Sequence, residues 1–205
     1  DTWARLRSPE TQTVLEVAAR ICDAVHHAHT HGIVHRDLKP GNIMVVTEEA
    51  GTGSRHGEHA AGSGVFAPGL TPKILDFGVA RIVSPEVGVS NSTQTEAGQI
   101  VGTLTYMSPE QVSSRFGSVG PRTDVYALGV ILYELLAGKP PFDVRTRTLP
   151  EATHIIVNET PPRLRRVSRR LHEDVETIVA KAMDKEPKRR YASAAELAMD
   201  LRRFL

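Results

Sequence analysis

Apolar residues recur at helical spacing between positions 11 and 31. Val14, Val17, Ala18, Ile21, Val25 and Ala28 fall on one face, which predicts an amphipathic helix that Gly32 is placed to stop. A polar loop from His35 to Asn42 follows, and the apolar run Ile43-Met44-Val45-Val46 then reads as a short buried strand. Lys73-Ile74-Leu75 reads as a second strand. Thr123 is a suitable N-cap for a helix from Asp124 to about Ala137, apolar on most faces and therefore expected to be buried all round. Gly138 and Pro140-Pro141 end it. Two further helices are expected, one over residues 171 to 183 and one from Ser193 to the end. The second opens with a Ser193–Glu196 spacing that fits a capping box.

Two stretches break this pattern. Residues 47–70 are dominated by Gly, Ala, Ser, Glu and His with almost no large apolar side chain, and read as a flexible surface insertion. Residues 84–99, rich in Ser, Thr, Gly and Gln, read as a mobile loop. No internal repeat is visible, and the expected content is mostly helix with two short strands near the start.

Length and composition narrow the setting. A chain of 205 residues fits one domain or one large lobe of a two-lobed domain and is long enough to bury a core. A formal net charge of +1 gives no general attraction to nucleic acid or to an anionic membrane. The one cysteine, Cys22, excludes an internal disulfide and a Cys-based zinc cage, and fits a reducing compartment. No apolar run approaches the roughly 20 residues of a membrane span. The longest, Val125 to Ala137, is interrupted by Gly129, Tyr133 and Glu134. The first residues, Asp1-Thr2-Trp3-Ala4-Arg5, have neither an initiator Met nor a signal-peptide pattern, so an internal start is expected.

Three short motifs carry candidate chemistry. In His35-Arg36-Asp37-Leu38-Lys39-Pro40-Gly41-Asn42 a carboxylate is followed by a cation and then, five residues after the Asp, by a side-chain amide. Asp76-Phe77-Gly78 sets a second carboxylate directly after the strand Lys73-Ile74-Leu75. Ser108-Pro109-Glu110 comes third. In this order they resemble the catalytic loop, the metal-binding loop and the end of the activation segment of serine/threonine protein kinases, in particular the bacterial, eukaryotic-like type. The resemblance covers nearly all of the chain.

The resemblance implies a protein-kinase-like α+β fold, of which this chain is mostly the helical C-terminal lobe, with short β-strands around the catalytic and Asp-Phe-Gly loops. Residues 1–205 would form that lobe, 47–70 a surface insertion and 76–110 the activation segment. The ATP-gripping N-terminal lobe, with its Gly-rich loop and strand Lys, has no counterpart here, so the isolated chain is expected to be a poor catalyst. The implied activity is ATP-dependent phosphorylation of Ser/Thr on proteins. Asp37 would be the base, Lys39 the phosphate-stabilising cation that also touches ATP, and Asn42 and Asp76 the ligands of Mg2+, with Mn2+ as a substitute. Thr103 would hydrogen-bond Asp37 and Lys39 in the substrate loop. Lys39 and Gly102-Thr103 favour Ser/Thr over Tyr as acceptor.

The same resemblance assigns supporting roles. His35 would be structural, Phe77 would pack inward and Gly78 would let the chain turn. Asp124 would hydrogen-bond the catalytic-loop backbone, and Glu110 would pair with Arg190. Arg36, directly before Asp37, implies activation by loop phosphorylation, with Thr93 and Thr95 as autophosphorylation sites and a kinase dimer as one route to them. A pseudokinase that keeps the fold as a scaffold, or an inactive fragment, is the alternative. Partners are ATP and Ser/Thr-bearing proteins, with no nucleic acid and no membrane contact from this segment. The expected location is cytoplasmic, with any anchor outside the segment.

Other features read more plainly. His26, His27 and His29 point in different directions on one helix without a nearby acid in sequence, so structural roles are expected rather than a metal site. Arg163 to Arg170 reads as a solvated basic loop, although Arg165-Arg166-Val167-Ser168 also looks like a target of basophilic kinases. Trp3 and Cys22 read as packing residues.

Overall fold

The computed structural model describes residues 11–47, 70–77, 104–167 and 171–205. Trp3, most of the 47–70 insertion, Gly78, the 84–99 loop, Thr93, Thr95, Thr103 and Ser168 lie outside the described residues.

Helix α1, Thr11–Thr30, buries Val14, Val17, Ala18, Ile21, Val25 and Ala28 as expected, and also Leu15, Ala19 and Cys22. The stripe is wider than the sequence suggests because the helix is covered from two sides, by the last helix and by the central one. Burial pushes the Cys22 thiol well above its ordinary pKa, in keeping with a packing role. The helix ends at Gly32, whose φ of +75° is left-handed. Gly32 N–H donates to His29 O and Ile33 N–H to Ala28 O, both at 3.0 Å, the paired bonds of a Schellman stop.

Strands β1, Ile43–Thr47, and β2, Leu70–Ile74, form an antiparallel pair in which Ile43 faces Ile74 and Thr47 faces Leu70. Along β1 the period of two is plain: Ile43 and Val45 are buried while Met44 is exposed. The second strand starts three residues earlier than Lys73-Ile74-Leu75 suggests and ends one residue earlier. Pro72 masks its start in the sequence, since it cannot donate to a ladder.

A short helix α2, Pro109–Val112, leads into the central helix α3, Pro121–Ala137. Here the structure corrects the N-cap: α3 starts at Pro121, with Gly120 at the cap and Thr123 inside the first turn. Proline at the first helical position carries no N–H to satisfy and has its φ already set. The Thr123 hydroxyl instead accepts from Gly120 N–H at 3.2 Å and donates to Glu110 Oε1 at 2.9 Å. As expected, α3 is buried on almost every face, and Gly138 stops it with a φ of +73°.

Helix α4, Leu149–Asn158, has no counterpart in the sequence reading. The signal was the spacing of Thr148 and Glu151, whose carboxylate accepts both the Thr148 N–H and its hydroxyl at 2.8 Å. Helix α5, Leu164–Val167, is a single turn. Helices α6, Glu173–Ala182, and α7, Ala194–Phe204, fall where expected. Ser193 Oγ accepts from Glu196 N–H at 3.2 Å, and the Glu196 carboxylate reaches back to Ala192 N–H at 2.9 Å.

The main core lies among α1, α3, α6 and α7. A smaller cluster of Leu104, Phe142, Val144, Ala152 and Ile156 joins the segment before α2 to α4. Lys185 ties that cluster to the rest: its Nζ donates to Ile156 O at 2.6 Å and lies 4.4 Å from the Phe142 ring centre. Burial, then the nearby Arg190 charge, pulls its pKa down to about 8.

Arg190 closes the scaffold. Both terminal nitrogens meet the Glu110 carboxylate, at 2.7 and 2.8 Å, in a pair with side-chain exposures of 0 % and 1 %. Its remaining three donors reach Arg122 O, Asp184 O and Lys185 O, so all five N–H groups are used. Burial alone would raise the Glu110 carboxyl, but the Arg190 bonds and charge, aided by Thr123, hold it below its ordinary value.

Two stability predictions follow from this packing. Glu110→Ala leaves a buried guanidinium without its counter-charge and is expected to cost about 3–5 kcal/mol in urea unfolding. The folded carboxyl titrates below its unfolded value, so the pair's stabilisation is complete above the unfolded pKa. It is lost as pH falls through the folded pKa, and the gap between wild type and variant should shrink on acidification. Gly129→Ala would set a Cβ 2.8 Å from Met183 Cγ and 2.9 Å from Ala182 Cβ. It is expected to destabilise by about 1–3 kcal/mol in thermal unfolding, against the ~1 kcal/mol gain that helix propensity alone would give.

Candidate active site

The catalytic-loop motif hangs from the first turn of α3. The Asp124 carboxylate, 1 % exposed, accepts Arg36 N–H at 2.9 Å on Oδ1 and His35 N–H at 2.8 Å on Oδ2. His29 Nε2 lies 2.7 Å from the same Oδ2. A carboxylate at a helix N-terminus is favoured by the helix dipole, and three donors compensate its burial. The backbone expectation for Asp124 is met, and His29, expected to be structural, finds its acid 95 residues along the chain. Nothing local in the sequence signals that contact.

The loop held in this way is strained. Arg36 has a φ of +68°, a left-handed conformation that costs a non-glycine residue about 1–2 kcal/mol. Its N–H is taken by Asp124, and its carbonyl accepts from Gln111 Nε2 at 2.6 Å. Gln111, at the end of the Ser-Pro-Glu motif, was not singled out from the sequence.

His35 is 1 % exposed and is shared between two loops. Its Nδ1 accepts Asp37 N–H at 3.3 Å, and its Nε2 donates to Leu75 O at 2.9 Å, so one neutral tautomer satisfies both bonds. Leu75 N–H in turn donates to Asn42 O at 2.8 Å. The peptide groups on either side of Leu75 therefore join the two motifs, and Asp76 follows directly.

Asp37 itself is open to solvent, its side chain 37 % exposed. Lys39 Nζ lies 2.7 Å from Asp37 Oδ2. Asn42 Nδ2 donates to Asp37 O at 2.8 Å and lies 3.4 Å from Asp37 Oδ2. With the amide nitrogen so engaged, Asn42 Oδ1 accepts from no donor among the described residues. Asp76 is exposed and takes a left-handed φ of +58°. Phe77 corrects the expectation of inward packing. Its ring centre lies 5.0 Å from that of His35, yet the residue is 39 % exposed. Among the described residues the His35 ring is the aromatic surface it meets, because residues 75–77 have run past the end of the strand pair.

The structure thus brings together His35, Arg36, Asp37, Lys39, Asn42, Asp76, Phe77 and Asp124 in one region, and joins Glu110 to Arg190 beneath it. The arrangement offers a carboxylate paired with a cation beside two oxygen donors, an amide and a second carboxylate. Hard oxygens of this kind suit Mg2+ or Mn2+.

Comparison with known proteins agrees with this geometry. Residues 4–201 match the protein kinase domain family. Serine/threonine-protein kinase PknB of Mycobacterium tuberculosis is 36 % identical over 187 residues, which are 91 % of this chain and 25 % of that protein. Serine/threonine-protein kinase Pkn1 of Myxococcus xanthus is 38 % identical over 182 residues, 89 % of this chain and 22 % of that protein. The chain therefore spans about a quarter of the length of the curated relatives it matches. The crystal structure of the Mycobacterium tuberculosis PknI kinase domain superposes with a TM-score of 0.60 at 22 % identity, covering 96 % of this chain and 57 % of that one, a likeness of fold. Among the described residues no helix is long and apolar enough to cross a membrane. With nearly its whole length matched, its three motifs in order and, among the described residues, a mostly helical fold with one short strand pair, this chain belongs to the protein kinase family.

Proposed function

We propose that this chain is the C-terminal lobe of a kinase that transfers the γ-phosphoryl group of ATP to Ser and Thr hydroxyls of proteins. One observation carries the reading: Asp37 is partly exposed, salt-bridged to Lys39 and set in a backbone anchored from below by Asp124. A carboxylate so placed can orient an incoming hydroxyl and take its proton as the oxygen attacks phosphorus. The proton leaves the acceptor for Asp37, the new P–O bond forms to the acceptor oxygen, and the bond to the ADP oxygen breaks. Lys39 supplies positive charge where the transferring group is most negative.

Asn42 Oδ1 and the Asp76 carboxylate are the groups that would hold the divalent ion, for which Mg2+ is the favoured choice and Mn2+ a substitute. Bound ion and nucleotide would contribute charge neutralisation and the group to be transferred. In this reading Thr103 would hydrogen-bond Asp37 and Lys39, and Thr93 and Thr95 would be autophosphorylation sites whose phosphates could pair with Arg36. Residues 76–110 would then be the activation segment. Autophosphorylation between two copies, a cytoplasmic site of action and protein rather than nucleic-acid substrates complete the proposal.

Asp37→Asn is expected to lower kcat by about 10²–10⁴-fold. It should leave the unfolding midpoint nearly unchanged, because Asp37 is half-exposed. The measurement is transfer from labelled MgATP to a generic protein, using the full-length protein. Phosphoamino-acid analysis should find phosphoserine or phosphothreonine and no phosphotyrosine. Asp76→Asn should raise the Mg2+ concentration needed for half-maximal rate by at least about tenfold. A metal titration that is unchanged in this variant would remove Asp76 from the ligand set.

A further inference from the structure

We infer that Gln111 is a positioning residue for the transfer, acting on Asp37 through the peptide group that joins it to Arg36. The inference rests on the kinase reading above and adds a residue that the motifs do not assign. Three features carry it. First, the two ends of the Gln111 amide have different partners. Oε1 accepts Ser108 N–H at 3.0 Å and the Ser108 hydroxyl at 3.2 Å, while Nε2 donates to Arg36 O at 2.6 Å. A flipped amide would set its oxygen against the Arg36 carbonyl and its NH2 against a backbone N–H, so the network fixes the assignment.

Second, Arg36 is the strained residue directly before Asp37, with a φ of +68°. Its N–H is fixed by Asp124 at 2.9 Å, and its carbonyl by Gln111. Holding one end alone leaves the 36–37 peptide free to rotate out of the left-handed conformation, and Asp37 turns with it. Third, Gln111 reaches Arg36 from 75 residues away, from the turn that follows Glu110. Arg36, Asp37, Met107, Gln111, Thr123 and Asp124 line one small pocket beneath the loop. Glu110 is locked to Arg190, so the helix end that bears Gln111 is a fixed mount.

Gln111→Glu separates this role from simple capping of α2. A carboxylate keeps the acceptor for Ser108 and is a natural capping residue, but it cannot donate to Arg36 O. Gln111→Met removes both functions. Steady-state kinetics of the full-length wild type, Q111E and Q111M, each with its unfolding midpoint, should show kcat falling about tenfold in Q111E. Its KM for ATP should stay within about twofold and its midpoint near wild type, with Q111M no less impaired in kcat. Wild-type kcat in Q111E, with loss confined to Q111M and matched by a lower midpoint, would mean a cap only and would overturn the inference.

Amide exchange of residues 35–42 gives an activity-independent reading. Faster exchange there in Q111E or Q111M, with the interior of α3 unchanged, supports the clamp, and unchanged exchange overturns it. If the wild type transfers no phosphate, it is the kinase reading that fails, and exchange alone then decides whether Gln111 holds the loop.

Discussion

The buried carboxylate of Asp124 is the contact on which the site depends. Its two oxygens take the backbone N–H groups of His35 and Arg36 together with His29 Nε2, and it stands in the first turn of a helix that is buried almost throughout. The arrangement converts the rigidity of α3 into rigidity of a loop whose regular structure is limited to the single 3-10 turn Pro40–Asn42. The loop needs that support, because Arg36 is left-handed and a free chain would relax it. Strain held next to an exposed Asp37 is the kind of preorganisation that lets a carboxylate keep one orientation without being buried.

Around this anchor the site is assembled from distant parts mainly by side chains that reach backbone groups. The carbonyl and N–H of Leu75 bind His35 and Asn42, so the loop of Asp76 follows the loop of Asp37. The Glu110–Arg190 pair, with all five guanidinium donors used, fixes the Ser-Pro-Glu motif to the late part of the chain. Removing either partner strands a charge, which makes the pair a strong constraint on register even where it adds little net stability. Lys185 extends the same logic to α4 and the smaller cluster.

Much of this was legible in the sequence, for identifiable reasons. The helices α1, α3, α6 and α7 announce themselves through periodicity and end signals, and the three motifs carry their spacing on the surface of the chain. What failed was short-range or very long-range. Thr123 looks like a cap, but Pro121 and Gly120 start α3 earlier, and α4 hid behind a cap signal that went unread. Phe77 was expected inside and is 39 % exposed. The contact of His29 with Asp124 spans 95 residues and that of Gln111 with Arg36 spans 75, separations at which a single sequence holds no pairing signal. The Glu110–Arg190 and Asp124 contacts are equally long-range, and they were reached only through family resemblance.

Held through His35 and Leu75, the loops of Asp37 and Asp76 are joined and anchored on Asp124. A crystal structure of the full-length protein with Mg2+ and a non-hydrolysable ATP analogue tests this most directly. A metal ion is expected about 2.0–2.1 Å from Asn42 Oδ1 and from an Asp76 carboxylate oxygen, with Arg36 still left-handed and both Asp124 bonds intact. A bound nucleotide whose metal touches neither residue, or an Arg36 relaxed to negative φ, would contradict it.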